Sequence, residues 1–261
     1  RPKARHWIGI GILAIITYVW TTPWDNYLVA SGVWAYRPDQ VSGLVLGYVP
    51  IEEYTFFGLQ AILGSLWTLS LQRLTPIDGH EKPSRLSSLL AITLAWSLGP
   101  ILAGALGLAS QMPTSEVVAA HAWPPLPFGQ ANYLILILVW AVPVIMGQWA
   151  IGQSLFRKRF GVWALGWLVP TLYLSVSDSV AIAAGVWHIL PAQSLGWLIP
   201  LGSAGLPVEE GIFFLVTSML VTQGFVLVTA PQGAALTVET VRALLGRKGA
   251  RHDHATPVSG Q

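Results

Sequence analysis

Apolar stretches long enough to cross a lipid bilayer recur along this chain, and they leave few folds open to it. They lie near residues 7–24, 51–71, 86–108, 131–154, 160–180 and 208–229, close to the roughly 17–25 residues that a spanning helix needs. In hydrocarbon each backbone N–H and C=O has to be satisfied within its own segment, so runs of this kind are predicted as helices. Charge agrees: only 10% of the residues are charged, against about 25% in soluble domains. The predicted class is an all-α integral membrane protein, a helical bundle of about six to seven spans. With no Cys among its 261 residues, disulfides, thiolate metal sites and cysteine nucleophiles are excluded. A net charge of +2 with scattered basic clusters does not suit nucleic acid.

The basic residues alternate along the chain. Arg1, Lys3 and Arg5 precede the first stretch, and Arg73, Lys82 and Arg85 lie between the second and third. Arg157, Lys158 and Arg159 separate the fourth from the fifth, while Arg242, Arg247, Lys248 and Arg251 follow the last. The intervening connections carry Arg37 alone. By the positive-inside rule, both termini are cytoplasmic and segments 25–50, 109–130 and 181–207 face the other side. Asp78, His80 and Glu81 read as solvated loop residues, and the tail from 231 as polar, with a short interfacial helix at 236–247.

An internal repeat is the most informative feature. Asp25 is followed nine residues later by Trp34, within Gly32-Val33-Trp34; Asp178 is followed nine later by Trp187, within Gly185-Val186-Trp187. Pro50-Ile51-Glu52-Glu53 then leads to Phe56-Phe57, and Pro207-Val208-Glu209-Glu210 to Phe213-Phe214. The separation from Trp to the first Glu is 18 residues in one half and 22 in the other, a loop difference of four. The organisation expected is two tandem repeats of about three helices: a first repeat over 1–108, a connection over 109–130, a second repeat over 131–230 and a tail over 231–261. The second half has an apolar stretch ahead of its basic cluster that the first lacks, so a further N-terminal helix is expected upstream of residue 1.

The acids carry the chemistry. An ionised side chain in the hydrocarbon region costs at least ~2.5–3.5 kcal/mol on insertion scales, and by the topology above all six carboxyls of the repeat share one side with few cations. That is a setting in which carboxyls hold their protons through burial and mutual repulsion. Proline followed by two glutamates is also an ordinary helix start, but its duplication in register with aromatic partners favours function. Adjacent glutamates on a helix point about 100° apart, so one of each pair is expected to face a cavity. Gly9-Ile10-Gly11 lies inside an apolar stretch and reads as helix packing. His188 has Ala35 as its counterpart and reads as a lone interfacial residue; Trp140, Trp149, Trp163 and Trp167 read mainly as interfacial belts. Nothing in the sequence calls for a metal or a cofactor. An apolar cavity with proton-bearing carboxyls and aromatic faces suits acid-catalysed rearrangement of a hydrophobic alkene, since aromatic faces stabilise a desolvated cation by ~2 kcal/mol or more.

Pro23-Trp24-Asp25-Asn26, Gly32-Val33-Trp34 and Pro50-Ile51-Glu52-Glu53 with Phe56-Phe57 resemble the membrane carotenoid (lycopene) cyclases. That family occurs as two small subunits, as one fused chain and as the cyclase part of fungal bifunctional proteins. The likeness covers roughly residues 5–72 and 132–228, and departs in the second half, where Ser177-Asp178-Ser179 stands for Trp-Asp-Asn. The resemblance implies conversion of lycopene to β-carotene through γ-carotene, without cofactor or net redox change. It gives Glu52 and Glu209 as first-choice proton donors, Asp25 and Asp178 as relays, and Glu53 and Glu210 as supporting or accepting groups. Trp24, Asn26, Trp34, Phe56, Phe57, Trp187, Phe213 and Phe214 are the implied substrate contacts. Its expected partners are a hydrophobic carotenoid, membrane lipid and other carotenoid enzymes. The alternatives are a cyclase of C50 carotenoids or another polyprenoid, and a small proton-coupled transporter.

Overall fold

The computed structural model describes residues 3–74 and 122–230. The apolar stretch at 86–108, the loop residues Asp78, His80 and Glu81 and the tail from 231 lie outside the described residues. Helix α1 (Ala4–Ala30) leads through strand β1 (Trp34–Tyr36) and the hairpin of β2 (Val45–Leu46) and β3 (Val49–Pro50) into α2 (Ile51–Leu74). Helices α3 (Asn132–Lys158) and α4 (Phe160–Ala183) follow. Strand β4 (Trp187–Ile189) and the hairpin of β5 (Leu198–Ile199) and β6 (Leu206–Pro207) then lead into α5 (Val208–Thr229). Four of these helices, α1, α3 with its preceding turn, α4 and α5, are long and apolar enough to cross a membrane.

The helices overrun the apolar stretches that predict them. α1 continues past Pro23 and through Asp25 to Ala30, because the polar residues at its end are buried by neighbours rather than released into a loop. α3 takes Arg157 and Lys158 into its last turn, where cations suit the negative end of the helix dipole. The outer faces stay apolar: Ile8, Ile15 and Val19 on α1 and Leu172, Tyr173 and Val180 on α4 are exposed. In water such faces would be a liability; in lipid they are the solvated surface.

α5 is the centre of the bundle and packs on α1, α2, α3 and α4. Small residues let the helices close on it. A β-carbon at Gly64 of α2 would stand 2.9 Å from Val221, and one at Gly166 of α4 would stand 2.5 Å from Thr222. Gly9 of α1 approaches Thr229 in the same way, whereas Gly11 meets nothing.

The glycines of the two Gly-Val-Trp motifs are helix stops. At the end of α1, Gly32 has φ +73°, while its N–H reaches Val29 O and that of Val33 reaches Leu28 O. At the end of α4, Gly185 has φ +71°, with its N–H on Ile182 O and that of Val186 on Ala181 O. This is the Schellman arrangement, in which a left-handed residue turns the chain and satisfies the last carbonyls. Each turn delivers its Trp into a strand, and the two strands pair: β1 and β4 are antiparallel, with Trp34 opposite Ile189, Ala35 opposite His188 and Tyr36 opposite Trp187. The ladder continues symmetrically, Arg37 N–H to Val186 O at 3.1 Å and Leu190 N–H to Val33 O at 3.0 Å. His188 and Ala35 thus sit opposite each other at the centre of this small sheet, with the His188 side chain exposed.

The hairpins account for the unequal spacing. Two residues, Gly47 and Tyr48, join β2 to β3, whereas six, Pro200 to Gly205, join β5 to β6. Pro50 and Pro207 close the inner strands, and each is followed at once by a helix carrying two glutamates in its first turn. The Pro-rich segment at 122–128 folds over the end of α1, where Trp123 N–H donates to Ala30 O and Tyr27 Oη to Pro124 O at 3.0 and 3.1 Å.

Candidate active site

The strand pair, the starts of α2 and α5 and the end of α4 line a half-open cavity of about 260 Å³. Three carboxyl groups line it: Glu53 from α2, Asp178 from α4 and Glu210 from α5. The rest of the wall is largely aromatic, with Trp34, Tyr36, Phe56, Trp187, Phe213 and Phe214. Trp34 and Trp187 meet edge to face at 5.9 Å, and Phe56 meets Phe214 at 6.4 Å. Residues from both halves of the chain therefore build a single space, with no Lys or Arg among its lining.

The two glutamates of each pair part company. Glu52 is exposed and its Oε1 accepts the N–H of Ser42 at 2.6 Å. Glu209 is fully buried, yet it too turns to the loop before its hairpin, accepting from Leu195 N–H at 2.6 Å and from Ser194 Oγ at 3.0 Å. In each half the serine of that loop also accepts a backbone N–H, Ser42 Oγ from Leu44 and Ser194 Oγ from Gly196. Glu52 and Glu209, the first-choice proton donors of the sequence reading, thus both turn to loops, while Glu53 and Glu210 line the cavity. The roughly 100° between neighbours on a helix directs the first glutamate to the loop and the second inward.

Asp178 Oδ1 accepts the indole N–H of Trp187 at 3.0 Å, and its Oδ2 meets no hydrogen-bond partner among the described residues. The nine-residue spacing is what closes this contact: the Schellman turn folds Trp187 back over the last turns of α4. Asp25, its counterpart, is fully buried and lies behind the cavity wall rather than in it, with neither oxygen hydrogen-bonded among the described residues. Glu210 accepts a hydrogen bond from the hydroxyl of Tyr133 on α3. Two turns further along, Gln60 Nε2 donates to Thr217 Oγ1 at 2.7 Å, joining α2 and α5 beneath Glu53 and Glu210.

Of the aromatic and amide residues expected at the substrate, Trp34, Phe56, Trp187, Phe213 and Phe214 line the cavity, whereas Trp24, Asn26 and Phe57 do not. Trp24 donates to Leu136 O at 3.0 Å and stacks on Trp140 at 4.7 Å, forming a layer behind Phe213. Phe57 is buried against Tyr54 and Phe56. Asn26 is a latch: its Nδ2 donates to Thr22 O and to Tyr54 Oη, while its Oδ1 accepts Tyr48 N–H at 2.7 Å. Gly47, with φ +66°, passes directly over that amide, where a β-carbon would overlap Oδ1. In the second half Ser179 takes this place and its Oγ turns back to Val176 O at 2.7 Å, so the longer hairpin is not held by a side-chain amide. Trp149, Trp163 and Trp167 form a separate aromatic cluster away from the cavity.

Tyr36 and Tyr133 were not singled out by sequence. Tyr36 lies two residues after Trp34, a position that faces the cavity once β1 is recognised as a strand, and its counterpart in the second half is Ile189. Burial pushes the Tyr36 phenol well above the ordinary tyrosine range, with Glu53 nearby adding to the effect. Tyr133 opens an apolar run and carries no local signal. Arg37 is occupied outside the cavity by Asp39, at 2.6 Å, which the guanidinium holds below the usual carboxylate range.

The chain matches the family model described as lycopene cyclase over residues 2–70. It is 38% identical over 219 residues to the lycopene beta-cyclase of Halobacterium salinarum, an alignment covering 84% of this chain and 81% of that protein. It is also 34% identical over 221 residues to the bifunctional lycopene cyclase/phytoene synthase of Sporisorium reilianum, covering 80% of this chain and 28% of that protein. The corresponding protein of Podospora anserina is 30% identical over 225 residues, covering 84% and 35%. No solved structure matches.

Proposed function

This chain belongs to the lycopene cyclase family, and from that premise we propose that it closes the ends of lycopene into β-rings, giving β-carotene through monocyclic γ-carotene. The observation that carries the reading is the convergence of Glu53, Asp178 and Glu210 on one aromatic-walled cavity. A proton from a cavity carboxyl adds to C2, the inner carbon of the end double bond, and leaves a tertiary cation at C1. The C5=C6 double bond attacks through C6, the C1–C6 bond closes the ring, and the cation moves to C5. A second carboxyl removes the proton on C6 and restores the C5=C6 double bond. One proton enters and one leaves, so the product is an isomer and no redox partner is needed. Indole and phenyl faces stabilise the cation, and exclusion of water keeps it from being hydrated. A space of about 260 Å³ falls just below the usual range for ligand pockets, roughly 300–1,000 Å³, and suits one end group rather than a whole C40 chain. The two ends would then react in succession.

In this reading Glu53, Glu210 and Asp178 handle the protons, Glu52 and Glu209 hold the loops, and Asp25 stands in reserve behind Glu53. The chain comprises two tandem repeats over 1–108 and 131–230, six or more spans, and acidic motifs on the non-cytoplasmic side. The repeat is supported by the order helix, strand, hairpin, helix in each half and by the reciprocal β1–β4 pairing. The sidedness is supported by the alternation of basic residues. The test is to express the chain in a lycopene-accumulating bacterium and analyse the pigments by chromatography and mass spectrometry. A cyclic product of unchanged mass supports the reading, and unchanged lycopene beside folded protein refutes it.

A further inference from the structure

The two glutamates that face the cavity hold equivalent places in the two halves, yet their surroundings differ in one respect. Each has a tyrosine beside it. Tyr36 lies within reach of a side-chain hydrogen bond to Glu53 but does not close it. Tyr133 bonds Glu210 directly. The same bias recurs at the aspartates: Trp187 donates to Asp178, whereas among the described residues the Trp34 indole N–H donates to no carboxyl and Asp25 accepts nothing. Donors are therefore concentrated on the carboxyls of the second half.

Tyr133 is well placed to fix its partner. It is fully buried on α3 and its ring is held edge-on against Trp34 at 5.6 Å. It does not line the cavity and acts only through Glu210. A carboxyl whose one oxygen is occupied by a fixed O–H presents its remaining lone pairs in a set direction, and hydrogen bonds to an ionised carboxylate are among the stronger ones.

Resting on the cyclase reading above, we propose that the cavity works in one direction, Glu53 giving the proton and Glu210 taking it, and that Tyr133 is the positioning residue that fixes which proton Glu210 takes. After ring closure the cation at C5 has removable protons on three neighbouring carbons: C6, the ring methylene C4 and the methyl group. Loss from C6 gives a β-ring, from C4 an ε-ring, and from the methyl group an exocyclic double bond. The energy differences among these exits are small, so the position of the accepting oxygen decides among them.

The experiment is Tyr133→Phe in the full chain, reconstituted with lycopene, with kcat, KM and the ring isomers measured. Removing one hydrogen bond to a charged group predicts a fall in kcat of about 10–100-fold, with KM within about twofold and ε- or exocyclic rings appearing beside β-rings. Glu210→Asp, which draws the carboxyl away from the phenol while Tyr133 stays in place, is expected to produce the same isomer shift. It provides the answer independently should Tyr133→Phe fail to accumulate. A purely structural loss would lower the yield of active enzyme and leave the isomer ratio alone. Wild-type activity with an unchanged ratio in both variants overturns this inference while leaving the cyclase reading intact. Absence of any ring from the wild-type chain overturns the cyclase reading itself.

Discussion

The hairpin latch in the first half can be tested by a double-mutant cycle on Asn26 and Gly47. Asn26→Ala removes the acceptor of the buried Tyr48 N–H, and an unsatisfied buried donor costs about 1–3 kcal/mol, so about 2 kcal/mol is expected. Gly47→Ala adds a β-carbon at φ +66°, a left-handed placement costing about 1–2 kcal/mol. That β-carbon also overlaps Asn26 Oδ1 and pushes it off Tyr48, which adds the same ~2 kcal/mol of lost hydrogen bond. The single variants should therefore lose about 2 and about 3 kcal/mol. In the double variant the hydrogen bond is lost once and the overlap is gone, so the total stays near 3 rather than 5, a coupling of about 2 kcal/mol and within the range for residues in contact. The assay is loss of helical signal on titrating SDS into detergent micelles, compared across the four proteins. Additive losses would refute the latch, because they would mean that Asn26 and Gly47 act independently.

Other expectations follow from the same geometry. Glu209→Gln should destabilise the fold more than Glu52→Gln, since Glu209 is fully buried with two donors and Glu52 is exposed with one; the same unfolding assay ranks them. Tyr36 stays neutral in the folded chain beyond the ordinary tyrosine pKa because its own is raised. The unfolded chain therefore binds fewer protons once the pH passes about 10, and the Tyr36 contribution makes stability fall from there upward. Tyr36→Phe should flatten that alkaline slope in a pH series of unfolding curves. Because the chain has no Cys, Gln40→Cys and Arg157→Cys each carry a single thiol at an exposed position. An impermeant maleimide on intact cells should label the first and spare the second; the reverse pattern would invert the proposed topology.

Much of this was legible in the sequence for physical reasons. Apolar length gave helices where the structure has them. The Gly-Val-Trp motifs repeat because a left-handed helix stop needs glycine and the strand after it needs the tryptophan. The two Pro-x-Glu-Glu motifs repeat because each closes a hairpin and opens a helix. Which glutamate faces inward was not legible, since it depends on the rotation of α2 and α5 at their starts, set by loop hydrogen bonds from Ser42 and Leu195. Asn26 reads as a site residue in a motif but is consumed by a turn 22 residues away. Tyr133 contacts Glu210 across 77 residues, and nothing local marks a tyrosine at the head of an apolar run as the partner of a distant acid.

The measurement that bears most directly on the account compares Glu53→Gln with Glu52→Gln in a lycopene-accumulating bacterium, with protein levels checked alongside the pigments. The account predicts that Glu53→Gln accumulates normally and forms rings at least ~100-fold more slowly, the scale of a lost general acid, while Glu52→Gln still makes cyclic carotene. A Glu53→Gln protein that cyclises normally beside an inactive, well-folded Glu52→Gln protein would contradict it.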